Sequence, residues 1–245
     1  MGWGDELMAA GEAMALGGVV AIKDRNNNHR WHPAWENNPS IAKPGEKYSR
    51  FIVNAPSYRP YAKSVSSGAW SWRAYRPKPA KFFWSEDEEA FRGFIEGGFI
   101  AVEPFLKQKS ESINRSWGWD NFARVTSAVD ADWVQFGETK PKMLPNARWI
   151  QTPTARHMAA ALSKAKAFLA PEGGLHHTAA ALNLKGVVLF GGFVAPQVTG
   201  YTMHKNIFTG GGLGCGMRVK CQHCVDAWSR IDPERIIKIM RGFNG

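Results

Sequence analysis

Phe168-Leu169-Ala170-Pro171-Glu172-Gly173-Gly174-Leu175-His176-His177-Thr178-Ala179-Ala180-Ala181-Leu182 holds a strand, a turn and a helix in succession. The apolar pair 168–169 reads as a buried strand, the two glycines as the turn, and the alanine-rich run from Leu175 as a helix. Glycines remove side chains where a ligand phosphate must approach the backbone. The free N–H groups of a starting helix then face that ligand. His177 and Thr178 are placed to add side-chain hydrogen bonds to a diphosphate oxygen. Glu172 does not suit a bare phosphate and fits an acceptor for sugar or ribose hydroxyls. An ordinary strand-to-helix turn without a ligand has the same local pattern.

The regular alternation extends outward on both sides. Upstream, 99–102, 133–136 and 149–150 read as short apolar strands, and 119–129 and 154–166 as helices, the latter capped by Thr154. Residues 103–116 read as a loop. Downstream, 187–190 is a strand closed by Gly191-Gly192, and 231–240 a last helix. Short strands alternating with helices indicate a mostly parallel sheet covered on both faces, with ligands beyond the carboxyl ends of its strands. The N-terminal part is less regular. A helix is expected over 5–16 and strands over 19–22 and 51–53. Residues 26–44 are polar loop, and 54–81, with Pro56, Pro60, Pro77 and Pro79, show little periodicity.

The chain has 245 residues, a formal charge of +10 and an apolar fraction of 44%, which is a globular composition with room for a large core. Between Lys43 and Lys81 nine basic residues face one acidic residue, Glu46, a field that attracts anions. Six Tyr and Trp residues share that stretch, which suits either a sugar face or single-stranded nucleic acid. A sugar site is the favoured reading; nucleic acid is not an expected partner. No window is apolar enough to span a membrane, residues 1–6 lack a secretory pattern, and three cysteines fit a reducing compartment. The expected location is therefore cytoplasmic, with the basic field suited to peripheral contact at an acidic inner-membrane face.

Residues 98–240 resemble the C-terminal half of glycosyltransferase family 9, the ADP-heptose:lipopolysaccharide heptosyltransferases. The carrying motif is Glu172-Gly173-Gly174-Leu175-His176-His177-Thr178 before the alanine-rich helix, followed by a strand ending in Phe190-Gly191. Glu172 stands where the family usually has Asp, and His177 takes the family's histidine position. Asn114-Arg115-Ser116-Trp117 fills the family's basic-residue and Trp segment, with Arg115 where Lys is common. Gly4-Asp5 matches the dipeptide at the head of the family's first helix, although the strand that precedes it there has no counterpart in residues 1–3.

The resemblance implies an α/β, GT-B-like fold. Residues 98–228 would be a Rossmann-like nucleotide-sugar domain, 1–95 a reduced acceptor-side portion, and 231–241 a closing helix. It also implies an inverting, metal-independent transferase with no cofactor beyond its donor. A nucleotide-diphosphate sugar, with heptose as one candidate, would pass its sugar to a glycan or lipid-linked, lipopolysaccharide-type acceptor. In that reading Asp5 is the general base, Arg115 offsets leaving-group charge, Glu172 orients the sugar, and Gly173, Gly174, Leu175, His177 and Thr178 hold the diphosphate. A nucleotide-sugar or glycan-binding protein without catalysis is the alternative.

Cys215, Cys221, His223 and Cys224 have zinc-ligand chemistry. The adjacency of His223 and Cys224 makes tetrahedral ligation look awkward, so ordinary thiols are expected, with zinc or a disulfide as alternatives. No metal site is expected at the transfer centre.

Overall fold

The computed structural model describes residues 2–56, 58–66, 68–104 and 110–243. The N-terminal part runs α1 (Trp3–Leu16), β1 (Val20–Lys23), β2 (Arg50–Val53), β3 (Ala62–Ser66), β4 (Ala69–Trp72) and α2 (Glu86–Gly93). It is followed by β5 (Ile100–Val102), α3 (Trp119–Ala128), β6 (Trp133–Gly137), β7 (Ala147–Gln151) and α4 (Ala155–Leu162). The chain ends with β8 (Ala167–Pro171), α5 (Gly174–Ala181), β9 (Gly186–Phe190), α6 (Pro196–Thr199), β10 (Lys205–Phe208), α7 (Gln222–Ser229) and α8 (Pro233–Arg241).

Strands β5 to β10 form one six-stranded sheet in the order β10-β9-β8-β5-β6-β7, and every pairing in it is parallel. Alternate residues of a strand face opposite sides, so both faces of the sheet are apolar. Phe99, Ala101, Phe168, Ala170, Val188 and Phe190 build the core on one side with Leu162 of α4 and Leu175 and Ala179 of α5. Ile100, Val102, Leu169, Val187 and Leu189 build the other with Phe122 and Val125 of α3 and Ile236, Ile237 and Met240 of α8. This is the Rossmann-like, doubly covered parallel sheet that the sequence pattern indicates. The Gly173-Gly174 turn follows β8 at its carboxyl end.

The N-terminal part is smaller. Strands β1 and β2 pair in parallel, and Ile41 adds a parallel bridge to Val20. Leu7, Ala10 and Ala13 of α1 pack with Val20, Ile22, Trp35 and Ile52 in a third core. Gly17 and Gly18 both take positive φ, 71° and 73°, which ends α1 sharply. Glu6 is fully buried inside this core and paired with Arg30 at 2.8 Å.

Several boundaries differ from the sequence reading. Helix α1 starts at Trp3, before the expected residue 5, and α4 ends at Leu162, short of 166. Within the loop expected over 103–116, Ser110–Arg115 form a 3-10 turn, and 105–109 lie outside the described residues. Elements α2, β10, α7 and the β3–β4 hairpin were not expected. Ser85 caps α2: its hydroxyl accepts the Glu88 N–H, and the Glu88 carboxylate accepts the Ser85 N–H at 2.9 Å. The basic, aromatic stretch 43–81 folds inward in part. Tyr61 is buried, and Trp70, Trp72 and Tyr75 pack against the main core, while Tyr48 and Tyr58 stay exposed. Among the described residues no helix is long and apolar enough to cross a membrane.

Candidate functional site

The chain leaves β5 for β6 and β7 on one side, then returns to β8 on the other. The crevice of such a sheet opens outside the strand ends at this switch point. A cleft of about 320 Å³ lies there, lined by Glu103, Gln135, Gly137, Thr154, Met158 and Leu175 among others. Glu103 follows β5 directly. Its carboxyl is enclosed against the start of α5, although the residue as a whole is only half-buried. Burial pushes that carboxyl up to about 7, and the hydrogen bond it accepts from the Leu175 N–H pulls the other way. Local sequence carried no signal for Glu103, which is a single acid in a loop.

Across the crevice, the α5 turn is held by its own histidines. The Gly173 N–H donates to His176 Nδ1 at 3.0 Å, and His176 Nε2 lies 3.1 Å from the Thr199 carbonyl oxygen. An acceptor at Nδ1 and a donor at Nε2 make His176 a neutral imidazole, and burial holds its pKa well below the usual value. His176, given no role by the sequence reading, is thus the residue that fixes the turn. His177 Nδ1 meets the Tyr201 hydroxyl at 2.9 Å, and its Nε2 lies 3.8 Å from a Glu172 oxygen. The Thr178 hydroxyl donates to the Gly174 carbonyl and accepts from Trp3 Nε1, each at 2.9 Å. Its proton is therefore committed within the protein.

Glu172 and Arg115, expected to serve a sugar and a diphosphate separately, form an ion pair with each other. Arg115 Nη2 also donates to the Glu172 carbonyl at 2.8 Å. Burial alone would raise the Glu172 pKa, but the Arg115 charge, with the His177 ring beside it, holds it well below the usual carboxylate range. Arg115 is steadied from behind by Asn114, whose backbone and side chain make four hydrogen bonds to segment 217–228.

The N-terminus of α1 meets this site directly. Trp3 reaches Thr178, and Gly4 lies flat on His177: a Cβ at Gly4 would sit 2.3 Å from the ring. Asp5, the next residue, accepts the Gly2 N–H at 2.9 Å, pairs with Arg59 at 2.8 Å and accepts the Tyr61 hydroxyl. Burial, then the Asp5 charge, push the Tyr61 pKa well above its usual value, and Glu172 adds to the same effect. Asp5, Tyr61 and Glu172 thus belong to one electrostatic neighbourhood. Arg59 and Tyr61 were visible in the sequence only as members of a basic, aromatic stretch.

Among the described residues two side-chain clusters bring possible metal-ligand atoms within 4.8 Å of one another: Glu172-His176-His177 and Cys215-Cys221-His223-Cys224. The first does not fit a cation. Both ring nitrogens of His176 are engaged, and Arg115 already occupies the carboxylate. The second fits: three thiols and an imidazole converge, with Cys215 Sγ and Cys224 Sγ 3.2 Å apart. That hydrogen bond pulls the Cys215 thiol below its usual pKa and pushes the Cys224 thiol up. The adjacency of His223 and Cys224 is no obstacle, because Cys221 caps α7 and the other two lie in its first turn. The expectations of no cofactor and of ordinary thiols are therefore corrected: the chain carries a donor set for a metal ion.

Neither a protein-family model nor a curated protein sequence matches the chain. Among solved structures it is similar to the ADP-heptose lipopolysaccharide heptosyltransferase II of E. coli, at 18% identity and a TM-score of 0.48, over 71% of this chain and 54% of the other. It is also similar to a glycosyl transferase family 9 structure from Veillonella parvula DSM 2008, at 15% identity and a TM-score of 0.49, over 69% and 54%. A third is TibC from enterotoxigenic E. coli H10407, at 12% identity and a TM-score of 0.47, over 71% and 50%. TibC is reported as an iron-containing dodecameric glycosyltransferase, and a second structure of it as an iron-containing heptosyltransferase with ADP-D-beta-D-heptose. The chain spans about half the length of these structures.

Proposed function

We propose that the protein is a glycosyltransferase that moves a sugar from a nucleotide-diphosphate donor to a glycan or lipid-linked acceptor. The observation that carries this reading is the docking of α1 on α5: Trp3 on Thr178 at 2.9 Å, with Gly4 against His177. It puts a carboxylate, Asp5, beside a helix N-terminus suited to anions and beside the Arg115–Glu172 pair. Residues 98–228 are the donor side, 1–95 the acceptor side, and 231–241 the closing helix.

The cleft at the β5–β8 switch point takes the nucleoside, and the diphosphate comes to the backbone of Gly173, Gly174 and Leu175, where it must take the Gly173 N–H from His176 and the Leu175 N–H from Glu103. The incoming diphosphate competes with Glu172 for Arg115. The released Glu172 carboxylate accepts hydroxyls of the sugar, with His177 behind it. Asp5 takes the proton of the acceptor hydroxyl as its oxygen bonds to the anomeric carbon. The bond from that carbon to the diphosphate breaks on the opposite face, which inverts the configuration. Arg115 and the α5 amides meet the charge that develops on the leaving group. Heptose is the first donor sugar to test and a lipopolysaccharide-type glycan the first acceptor, because the similar structures include heptosyltransferases. A basic surface over 43–81 suits an acceptor presented at an acidic membrane face.

One observation favours the binding-protein reading. The Asp5 carboxylate already accepts from Gly2, Arg59 and Tyr61, so only one of about four lone-pair positions, on Oδ2, is left for an acceptor hydroxyl. Calorimetry with a panel of nucleotide-diphosphate sugars, followed by mass spectrometry of donor and acceptor mixtures, tests the proposal. Donor binding with acceptor-dependent release of nucleoside diphosphate is expected. Donor binding without any transfer across the panel would leave the nucleotide-sugar-binding protein, and no donor binding would remove both the transferase and that reading.

A further inference from the structure

We propose that Cys215, Cys221, His223 and Cys224 bind one tetrahedrally coordinated transition-metal ion, and that this ion fastens the segment holding Asn114 and Arg115 in place. Three thiolates and one imidazole select zinc or iron by their softness and geometry.

The four ligand atoms lie within 4.8 Å of one another. Metal–sulfur bonds of about 2.3 Å and a metal–nitrogen bond of about 2.0 Å give tetrahedral ligand separations of roughly 3.5–3.8 Å. Closure around an ion therefore needs movements of about 1 Å or less. The backbone is already shaped for it. Cys221 caps α7, so Cys221 and Cys224 project from the helix start, where the backbone amides favour thiolates. Cys215 comes from a loop whose Gly214 and Gly216 take φ of 98° and 64°. A Cβ at Gly216 would lie 2.0 Å from the Trp70 carbonyl oxygen, and one at Gly192 would lie 2.6 Å from His223 Nδ1. Side chains are thus excluded at both places where the backbone must pass close to the cluster. On binding, the three thiols lose their protons to solvent.

Each ligand segment also reaches into the rest of the fold. The Cys215 N–H donates to Gly192 at 2.8 Å, and Trp70 of β4 donates to Gly216 at 2.8 Å. The Cys221 N–H donates to Asn114 Oδ1 at 3.0 Å, while Asn114 Nδ2 donates to the carbonyls of Met217 and Val219, both at 2.6 Å. Asn114 is buried, and its neighbour Arg115 pairs with Glu172. An ion at the cluster ties the 215–224 loop to α7, and that loop is what grips Asn114. The ion is structural, and its presence is independent of whether the site transfers sugar.

Elemental analysis of protein purified without chelator, from cells supplied with both zinc and iron, tests the assignment. About one metal ion per chain is expected, and the element found separates zinc from iron. Cys215→Ser and the milder, surface-located His223→Ala should each lower the occupancy at least several-fold. Glu172→Gln with His177→Ala should leave it unchanged. Cobalt added to stripped wild-type protein should give a thiolate-to-metal absorption band that saturates at one equivalent. Removal of the metal should lower the melting temperature and raise hydrogen exchange over 113–117 and 215–224. Metal-free protein in every preparation, a Cys215–Cys224 disulfide, or metal lost with Glu172 and His177 instead of the cysteines would overturn the site. Bound metal whose removal leaves exchange at 113–117 unchanged would overturn the fastening role.

Discussion

Gly4→Ala tests the contact that joins the two halves of the site. The new methyl would lie 2.3 Å from His177 Cδ2, with Nε2 and Cγ at 3.1 and 3.2 Å. The ring has little room to retreat. Its Nδ1 is bonded to the Tyr201 hydroxyl at 2.9 Å, and the His176 ring lies against it, tilted by 39°, with centroids 3.9 Å apart. Overpacking of this kind costs about 1–3 kcal/mol, and the strained His177–Tyr201 bond about 0.5–1.5 kcal/mol more. Alanine gains at most about 1 kcal/mol over glycine as a helix former. The steric terms win, leaving a net loss of about 0.5–3.5 kcal/mol. Urea unfolding would read this as a lower midpoint with an unchanged slope. Gly11→Ala gives a comparison, since its methyl would lie 1.9 Å from the Lys78 carbonyl oxygen, a backbone atom that cannot rotate away; its loss should be at least as large. In the transfer assay Gly4→Ala should reduce turnover more than donor affinity, because it moves Asp5 and leaves the cleft intact. A Gly4→Ala protein as stable as the wild type, with full turnover, would refute the docking of α1 on α5.

Arg30→Ala should destabilise the fold by about 3–5 kcal/mol, because it strands the fully buried Glu6 carboxylate; a thermal melt checks it, and adding Glu6→Gln should restore part of the loss. Glu103 gives a pH dependence. Its folded pKa of about 7 stands above the usual 4.5, so its stabilising balance is complete below about pH 4.5 and is lost as pH rises to about 7. The fall is at most about 3 kcal/mol and less for a half-buried residue, and Glu103→Gln should abolish it in unfolding curves across that range. Arg115→Ala should weaken a nucleoside diphosphate by about 1.5–3 kcal/mol while hardly changing its nucleoside in calorimetry. The comparison is best made on a Glu172→Gln background, where removal of the arginine leaves no buried carboxylate unpaired.

The sheet was legible because its strands are apolar on both faces and its turns carry glycines. The run 168–182 could be read as strand, turn and helix from residue types alone. The β3–β4 hairpin could not. Its stability comes from Trp70 and Trp72 against the main core and from Gly216 and Phe193 backbone groups, all distant in sequence. The same holds at the site. Asp5 was marked by its place at a helix start, but its partners Arg59 and Tyr61 lie more than fifty residues away. His176 was passed over because nothing local shows that its ring reaches Thr199. At the cysteines, linear adjacency was misleading. Cys221 at the α7 N-cap and Cys224 three residues on share one face, and the longer His223 side chain brings a ring nitrogen within 4.8 Å of the three sulfurs, which the spacing did not display.

Turnover of Asp5→Asn beside the wild type is the most direct measurement of the transfer mechanism. Asparagine keeps the size of the side chain and one oxygen, which can accept from Gly2 or from Tyr61 but not from both, and it gives up the charge paired with Arg59; it cannot take the acceptor proton. With the best-binding nucleotide-diphosphate sugar and a matched glycan acceptor, product formation should fall by about 10²- to 10⁴-fold. Donor affinity should stay within about threefold, because Asp5 stands on the acceptor side, and the melting temperature should confirm a folded protein. A folded Asp5→Asn protein with near-wild-type turnover would contradict the account.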